Sequence, residues 1–493
     1  MAKPLQPLSI QAPGFYGLNT QDSPTGLTEQ FALQADNCVI DRFGRVGARK
    51  GYAFANSIGS AVLSLHEHVK ADGTSEVIST TDSDILVGYS SPVSIKPSGY
   101  TVGDGVYNYA ELNNVTYIFK ENTTPLYYDG TTCDLVENHA DYSGTIPQGD
   151  IALAGFGRLW VVKGTTVYWS DLLTGMMWDT GSSGSIDVSK VWTRGDKITG
   201  LAVHNNFLFI FSNNQILIYQ GATDPATMSL ADTIDGMGCI EHKTIQNTGS
   251  DLLFLSETGV RSINRTIQEK SAPIGDMSKN IRNELNSYLT AGYSYNSVYS
   301  PEEAFYLLNI KGAGVVYCFD MRGNLQDGSS RVTKWSSINP LCLLYRTVNN
   351  DVLLGKNTGF ARYEGHRDDN SSYQMSYFTN YLDFGAPSNL KILKTLKVTF
   401  IGGSETAVTI NYGYDYSFAY KKRSFVLPKQ NIAEFGIAEF NVGEYNQGIL
   451  VNRPSVNASS SGSVIQLGVE VTIDGSPVSV QRITAQAVLG RVI

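Results

Sequence analysis

Short apolar runs separated by Asn or Gly turns recur along most of this chain. The clearest unit spans residues 198–219. It reads Ile-Thr-Gly-Leu-Ala-Val-His, Asn205-Asn206, Phe-Leu-Phe-Ile-Phe-Ser, Asn213-Asn214 and Gln-Ile-Leu-Ile-Tyr. The runs are rich in β-branched and aromatic residues, and Asn tolerates the left-handed backbone of tight hairpin turns. The pattern predicts a three-stranded antiparallel meander. Phe207, Phe209 and Phe211 fall on one face of its middle strand, and Leu208 and Ile210 on the other. A strand that is apolar on both faces needs cover on both faces.

The same pattern returns at 107–128, 151–170, 244–263, 296–319 and 342–363, with a weaker copy at 62–88. The period is roughly 45 residues, the spacing of β-propeller blades. Radial repetition hides both faces of each small sheet and protects its edges. The fold class expected is all-β: a β-propeller of six or seven blades, with Phe207, Phe209 and Leu253 on inner blade strands. Helices should be few. One is predicted over 27–37, where Leu27, Phe31, Ala35 and Cys38 follow spacings of four and three. A second is predicted over 276–288, from Met277, Ile281, Leu285 and Tyr288. A hairpin is predicted from Val39-Ile40, a turn over 41–44, and a return through 45–49.

The repeat stops at a polar break, His366 to Tyr373. Beyond it Leu396, Val398 and Phe400 alternate with polar positions, as do Val408, Ile410 and Tyr412. So do Ile465, Leu467, Val469, Val471 and Ile473, which run into Asp474-Gly475, a strong hairpin signal, with a return through Val478 and Val480. This is a β-sandwich pattern. Three segments follow: an N-terminal arm, helix and hairpin over 1–56, the propeller over 57–366, and the sandwich over 367–493. The N-terminal hairpin is too small to be stable alone. It is expected to join the sandwich as one platform into which the propeller is inserted.

Composition narrows the function classes. A chain of 493 residues that is 42% hydrophobic can bury more than one core. The formal net charge of −9 argues against an electrostatic clamp on nucleic acid, which needs clustered Lys and Arg. The five cysteines are scattered without a CxxC pair and read as small buried hydrophobes of a reduced, cytosolically assembled protein. The N-terminus lacks an apolar signal core, and no apolar run reaches membrane-spanning length.

Candidate chemistry is sparse. Of the histidines, His66 and His68 flank Glu67 and would share a strand face, a possible start of a metal site without an identifiable third ligand. His139, His204, His242 and His366 stand apart. Arg194-Gly195-Asp196 spells an adhesion tripeptide but reads as a turn. Asp82 with Asp84, and Asp368 with Asp369, lack the length and central Gly of a calcium loop. A glycosidase propeller would need two carboxylates facing each other across its channel. Glu111, Asp251, Glu302 and Asp351 are candidates, and nothing in the sequence pairs them. No catalytic, cofactor-binding or metal-binding residue is assigned, no cofactor is expected, and the chain does not read as an enzyme.

Two stretches are more distinctive. Ala35-Asp36-Asn37-Cys38-Val39-Ile40-Asp41-x-x-Gly44, followed by Arg49-Lys50-Gly51, resembles the N-terminal segment of the nozzle or tail tubular protein B group of short-tailed phages (podoviruses). Tyr381-Leu382-Asp383-Phe384-Gly385, then Lys391 and Leu396-Lys397-Val398, is similar to the segment that opens their C-terminal sandwich. The positions that carry the resemblance are Ala35, Asn37, Asp41, Gly44, Arg49, Gly51, Asp383, Phe384, Gly385 and Lys391. The resemblance implies a structural protein of the virion tail, assembled in the host cytoplasm. It implies a homo-hexameric ring below the portal and its adaptor, with tail fibres or spikes as neighbours. Genomic DNA would pass through on ejection without sequence recognition. The competing readings are a carbohydrate-binding or glycosidase-type propeller associated with the tail, and a peptide-binding propeller scaffold.

Overall fold

The computed structural model describes residues 5–192, 197–269, 276–429 and 451–492. Its centre is a β-propeller. Six blades are sheets of their own. The first holds Ser64–Val69, Ser75–Thr80, Ile85–Val87 and Val93–Ser94. The second holds Asn108–Leu112, Val115–Phe119, Leu126–Tyr128 and Cys133–Leu135. The third holds Ile151–Gly155, Arg158–Lys163, Thr166–Trp169 and Gly184–Asp187. The fourth holds Gly200–His204, Phe207–Phe211, Gln215–Gln220 and Ser229–Asp235. The fifth has three strands, Gln246–Asn247, Leu252–Ser256 and Gly259–Ser262. The sixth, Cys342–Arg346, Asp351–Lys356 and Gly359–Tyr363, takes its outer strand, Tyr52–Ser57, from the N-terminal side of the propeller. Between the fifth and sixth blades the ring is filled by Ser294–Ser300, Phe305–Lys311, Val315–Asn324 and Ser330–Trp335. These are the first four strands of a ten-stranded sheet that continues into the platform. The 296–319 repeat, sixth of the seven in chain order, is therefore a sector of the ring without being a separate blade.

The 198–219 meander shows why the ring forms. Asn205 and Asn206 adopt φ of 49° and 66°, the paired left-handed conformation of a two-residue hairpin turn. Leu208 and Ile210 pack with Trp160, Val162 and Val167 of the third blade. Phe209 and Phe211 pack with Leu252 and Phe254 of the fifth. Phe207, Phe209 and Leu253 lie on the second strand of their blades rather than the innermost. The axis leaves little room, and the innermost strands carry Ala110, Ala152, Ala154, Gly200 and Ala202 instead.

The platform is a sandwich of two sheets. In one, Asn389–Gly402 pairs with Val478–Val492. Leu5–Gln11 adds to the latter strand, and so does Val46–Ala48 of the N-terminal hairpin, through Ser479↔Gly47 and Val480↔Val46. In the other, Phe31–Asp36 pairs with Tyr373–Thr379, followed by Ile465–Ile473, Ala407–Tyr414 and Lys421–Val426. Val398, Phe400, Val480 and Ile483 from the first sheet meet Val408, Ile410, Leu467 and Val469 from the second in one core.

Three local expectations need correction. Residues 27–37 are not a helix: Phe31–Asp36 is a strand. A register shift between Ala32 and Gln34 puts Ala32 and Ala35 on the buried side, three apart, and so imitates a helical spacing. Asp474-Gly475 does not close a hairpin. Ile465–Ile473 has both edges taken by Tyr373–Thr379 and Ala407–Tyr414, so the chain crosses to the facing sheet to form Val478–Val492. Tyr52–Ser57, placed with the platform by the 1–56 division, is a propeller strand. The second predicted helix is present in shorter form. A 3-10 turn, Lys279–Ile281, leads into the α-helix Arg282–Ala291, which ends at Gly292 with φ 72°. Met277, Ile281 and Leu285 bury one side of this segment in the platform core. A short helix, Ile263–Glu269, follows the fifth blade.

Candidate functional site

The residues that carry the family resemblance are framework groups. Arg49 is fully buried. Its guanidinium donates to Asp368 Oδ1 and Oδ2 at 2.9 and 2.6 Å, to Asn37 Oδ1 at 3.2 Å, to the Lys50 carbonyl at 2.7 Å and to Ser337 Oγ at 2.6 Å. It also lies 4.1 Å from the centroid of the Tyr373 ring. Asn37, at φ 51°, accepts from Arg49, from the Ser336 amide and from Ser337 Oγ, and donates to the Gln374 carbonyl. The node ties the N-terminal hairpin to the shared sheet and to the first strand after the propeller. Asp368, weighed above as a calcium ligand, is the counter-ion of this node. Its partner Asp369 sits at φ 47° in the adjoining turn.

The remaining motif positions shape turns and strands. Asp41 accepts from the Phe43 and Arg45 amides and from Arg45 Nε at 2.6 Å, closing the hairpin turn. Gly44 sits at φ 70° against Pro13. A Cβ at Gly51 would fall on the Arg367 carbonyl. Ala35 is buried in its strand. Asp383 accepts from the Gly385 amide at 2.9 Å, in a turn where Phe384 and Gly385 both have positive φ. Lys391 is buried and donates to the Ser463 carbonyl at 2.6 Å, and its pKa is lowered by desolvation. Of the N-terminal motif, Asn37 and Arg49 meet in one node, and its other positions, like the second motif, shape separate turns and strands.

The other sequence candidates are dispersed. His66 and His68 do share a strand face, but that face meets the second blade. His66 stacks on Tyr109 and lies 3.6 Å from Glu111, and His68 Nδ1 contacts Thr116 at 2.9 Å. Glu67 points to the opposite side and accepts from Thr347 and Val348 of the closing blade. Among the described residues no group of three or more His, Cys, Asp or Glu is arranged around a common point. Of the four propeller carboxylates only Glu111 lines the axial cavity. Asp251 accepts from the Leu252 and Asn264 amides, Asp351 pairs with Arg346 at 2.6 Å, and Glu302 borders a separate cleft. Asp84 accepts from Ser94 Oγ at 2.6 Å. The five cysteines are unbonded, and four are buried. Arg194-Gly195-Asp196 lies outside the described residues.

A cavity of about 590 Å³ borders the Asp383-Phe384-Gly385 turn, and two further concave sites adjoin other sequence candidates. One, of about 430 Å³, separates the N-terminal hairpin from the shared sheet and is lined by Arg42, Arg45, Lys50, Asp320, Arg322 and Arg331. Its charges are largely paired: Arg45 with Asp41, Lys50 with Glu303, and both Arg322 and Arg331 with Asp320. The other, of about 680 Å³, lies on the propeller axis and is lined by innermost strands of all the blades and of the shared sheet. Glu111 stands in it, accepting from the Val69 amide at 3.2 and 3.3 Å. The 3-10 turn His242–Thr244 contributes His242 and Lys243. In the sequence His242 stands apart and Lys243 carries no signal, because a lone His-Lys step in a turn forms no motif.

Desolvation, and then the neighbouring Lys243 charge, lower the His242 pKa from 6.5 to about 4. The unfolded chain therefore takes up this proton first as the pH falls. The associated stability is complete above pH 6.5 and is lost as the pH drops through 4. His242→Asn is expected to flatten the fall in unfolding free energy over that window by no more than about 3–4 kcal/mol. Urea titrations at successive pH values check this, against the same slope from His68 and His366, whose pKa values are also lowered by burial. An unchanged slope in the variant would contradict it.

No protein-family model matches the chain, and no curated protein matches it. Solved structures do. An extracellular domain from B. thetaiotaomicron aligns at 8% identity and TM-score 0.43, covering 79% of this chain and 49% of its own. The chain thus spans about half the length of that protein. The WD40 β-propeller domain of Doa1 aligns at 13% identity and TM-score 0.33, covering 62% of this chain and 95% of its own. YCF48 bound to the D1 peptide aligns at 11% identity and TM-score 0.36, covering 67% of this chain and 96% of its own.

Proposed function

We propose that this chain is a structural, non-enzymatic subunit of a short-tailed phage tail, of the nozzle or tail tubular protein B kind. It assembles in the host cytoplasm as a homo-hexameric ring below the adaptor, beside fibres or spikes, and lets genomic DNA pass without sequence recognition. The observation that carries the reading is the Arg49–Asp368 node with the hairpin around it. The most family-like stretch is used to lock both chain ends around an inserted propeller, which is a framework role rather than a catalytic one. The platform also exposes large apolar side chains, Phe418 at 82%, Val426 at 70% and Val492 at 70%, of the sort that contacts between copies cover. Closed rings use one head-to-tail contact repeated until it shuts. No described helix is long and apolar enough to cross a membrane. The net charge of −9 suits a passage that must not hold phosphates.

The test is native mass spectrometry and electron microscopy of the purified chain, alone and with its adaptor. Six-copy rings and undetectable duplex-DNA binding at low salt are expected. A persistent monomer in both preparations, steeply salt-dependent DNA binding, or release of reducing sugar from a host polysaccharide would overturn the reading.

A further inference from the structure

The first platform sheet is set apart by its charge. Its eight described strands contain no Asp or Glu, although the chain holds 46. Val398, Phe400, Ile483 and Ala485 are buried in the sandwich core, so the residues beside them on these strands face outward. Lys397 stands opposite Thr484 and Ser455, and Arg482 opposite Thr399 and Gln11. Arg453 follows the short strand Val451–Asn452 at the border of the same sheet. All three cations are exposed, and none has an ion pair among the described residues. Leu5 and Val492, 50% and 70% exposed, add apolar area at one end.

The opposite charge is gathered elsewhere on the chain. From Glu121 to Gly157 there is no Lys or Arg, but there are Glu121, Asp129, Asp134, Glu137, Asp141 and Asp150. Asp134 lies on Cys133–Leu135, the outermost strand of the second blade. Asp129 stands in the turn before that strand and Glu137 in the 3-10 turn after it, both exposed. Among the described residues these carboxylates have no Lys or Arg in an ion pair; Asp141 has only His139, at 3.9 Å. Asn113 of the same blade donates to the Leu173 carbonyl. It ties to the blade a loop in which Leu172 and Leu173 are 51% and 58% exposed.

Like charges gathered on one surface repel one another, and two such surfaces of opposite sign attract only where they meet. Within one copy both stay exposed. A two-fold contact of the sheet with itself would set Lys397 and Arg482 against their own copies. A head-to-tail contact sets them against carboxylates, and it is the kind that closes a ring. Resting on the sixfold reading above, we propose that the outward face of the first platform sheet receives the outer edge of the second blade of the next copy. Lys397, Arg453 and Arg482 then face Asp129, Asp134 and Glu137.

The experiment compares charge variants of the full chain by native mass spectrometry and sedimentation at low salt. Lys397→Glu with Arg482→Glu should raise the concentration needed for half assembly by about tenfold or more, because like charges are then set face to face. Asp134→Lys with Glu137→Lys should do the same. Each double variant meets its own copies with like charge, but in an equimolar mixture each meets the other with opposite charge. The mixture should therefore regain rings in which the two variants alternate. Lys163→Glu with Lys190→Glu, at exposed lysines of the third blade, makes the same change in net charge and should leave assembly within about twofold of wild type. Urea unfolding checks that these exposed substitutions leave the fold intact. Normal rings from either double variant alone, no recovery on mixing, or an equal loss in the third-blade control would overturn the contact and leave the six-copy reading in place. A wild type that never associates would overturn both. Duplex-DNA binding by the wild type that is lost in Lys397→Glu with Arg482→Glu would assign the face to nucleic acid and overturn the contact as well.

Discussion

Arg49→Ala is expected to lower the unfolding free energy by about 3–5 kcal/mol, the cost of removing one member of a buried ion pair. Asp368, only 9% exposed, would lose both guanidinium bonds. Asn37 and Ser337 would each lose a donor, and a void would open beside Tyr373. Arg49→Lys should recover little of the loss. An ammonium cannot span both oxygens of Asp368 and still reach Asn37 and Ser337, as the planar fork does. The neighbouring Lys50–Glu303 pair provides the contrast: Lys50 is partly exposed at 41%, so Lys50→Ala should cost no more than about 1 kcal/mol. Urea unfolding of the three variants measures these differences. A loss below about 1 kcal/mol in Arg49→Ala would mean that the node is a consequence of the fold rather than a support of it.

The parts of this architecture that were readable in the sequence are those in which side-chain pattern and local backbone agree. The 198–219 meander is one: both faces of Phe207–Phe211 are apolar, and the left-handed Asn205-Asn206 step marks the turn. The hairpin Cys38–Ile40 with Val46–Ala48 is another, since Asp41 and Gly44 shape its turn locally. The outer blade strands left no such trace. Ser229–Asp235 and Gly184–Asp187 are mostly solvent-facing, so their residues answer to hydrogen bonding along one edge rather than to burial. Long-range choices were illegible for a different reason. Nothing within Ile465–Ile473 specifies that its two edges will be taken by strands from elsewhere, which forces the chain after Asp474 onto the other sheet. The pairing of Tyr52–Ser57 with Gly359–Tyr363 likewise joins residues some three hundred positions apart. Around the candidate site, Arg49 was visible as a motif residue, but its counter-ion was not, because Asp368 lies in a polar break with no periodicity. Lys243 owes its environment to seven strands converging from the whole propeller, and no local pattern announces that.

Phe209→Ala should cost about 3–5 kcal/mol, as truncation of a buried aromatic does when its surroundings relax only in part. Phe209 is 1% exposed and sits between Ala202 and Ile218, its partners on the adjacent strands. Beyond them it packs with Leu252 and Phe254 of the fifth blade, and its ring lies 6.4 Å from that of Phe211. Its site has little means of collapse. The innermost strand is held on the axis by its neighbours, and the opposite side of the same strand is fixed by Leu208 and Ile210 against Trp160. A cavity therefore persists, and the loss should lie toward the upper end of the range. Leu208→Ala tests the other face of the strand and should cost about 2–5 kcal/mol by the same reasoning. Phe418→Ala, at an aromatic 82% exposed on the platform, should stay within about 0.5 kcal/mol in the isolated chain. Chemical unfolding followed by tryptophan fluorescence reports on Leu208→Ala directly, since Trp160 and Trp169 belong to the core that Leu208 fills, and on Phe209→Ala through the loss of the whole fold. If Phe209→Ala were nearly neutral while Leu208→Ala was costly, the third and fourth blades would be coupled but the fourth and fifth would not, and the ring would be open at that seam. Comparable losses on both faces are the result a closed propeller requires, because each blade there is covered on both sides.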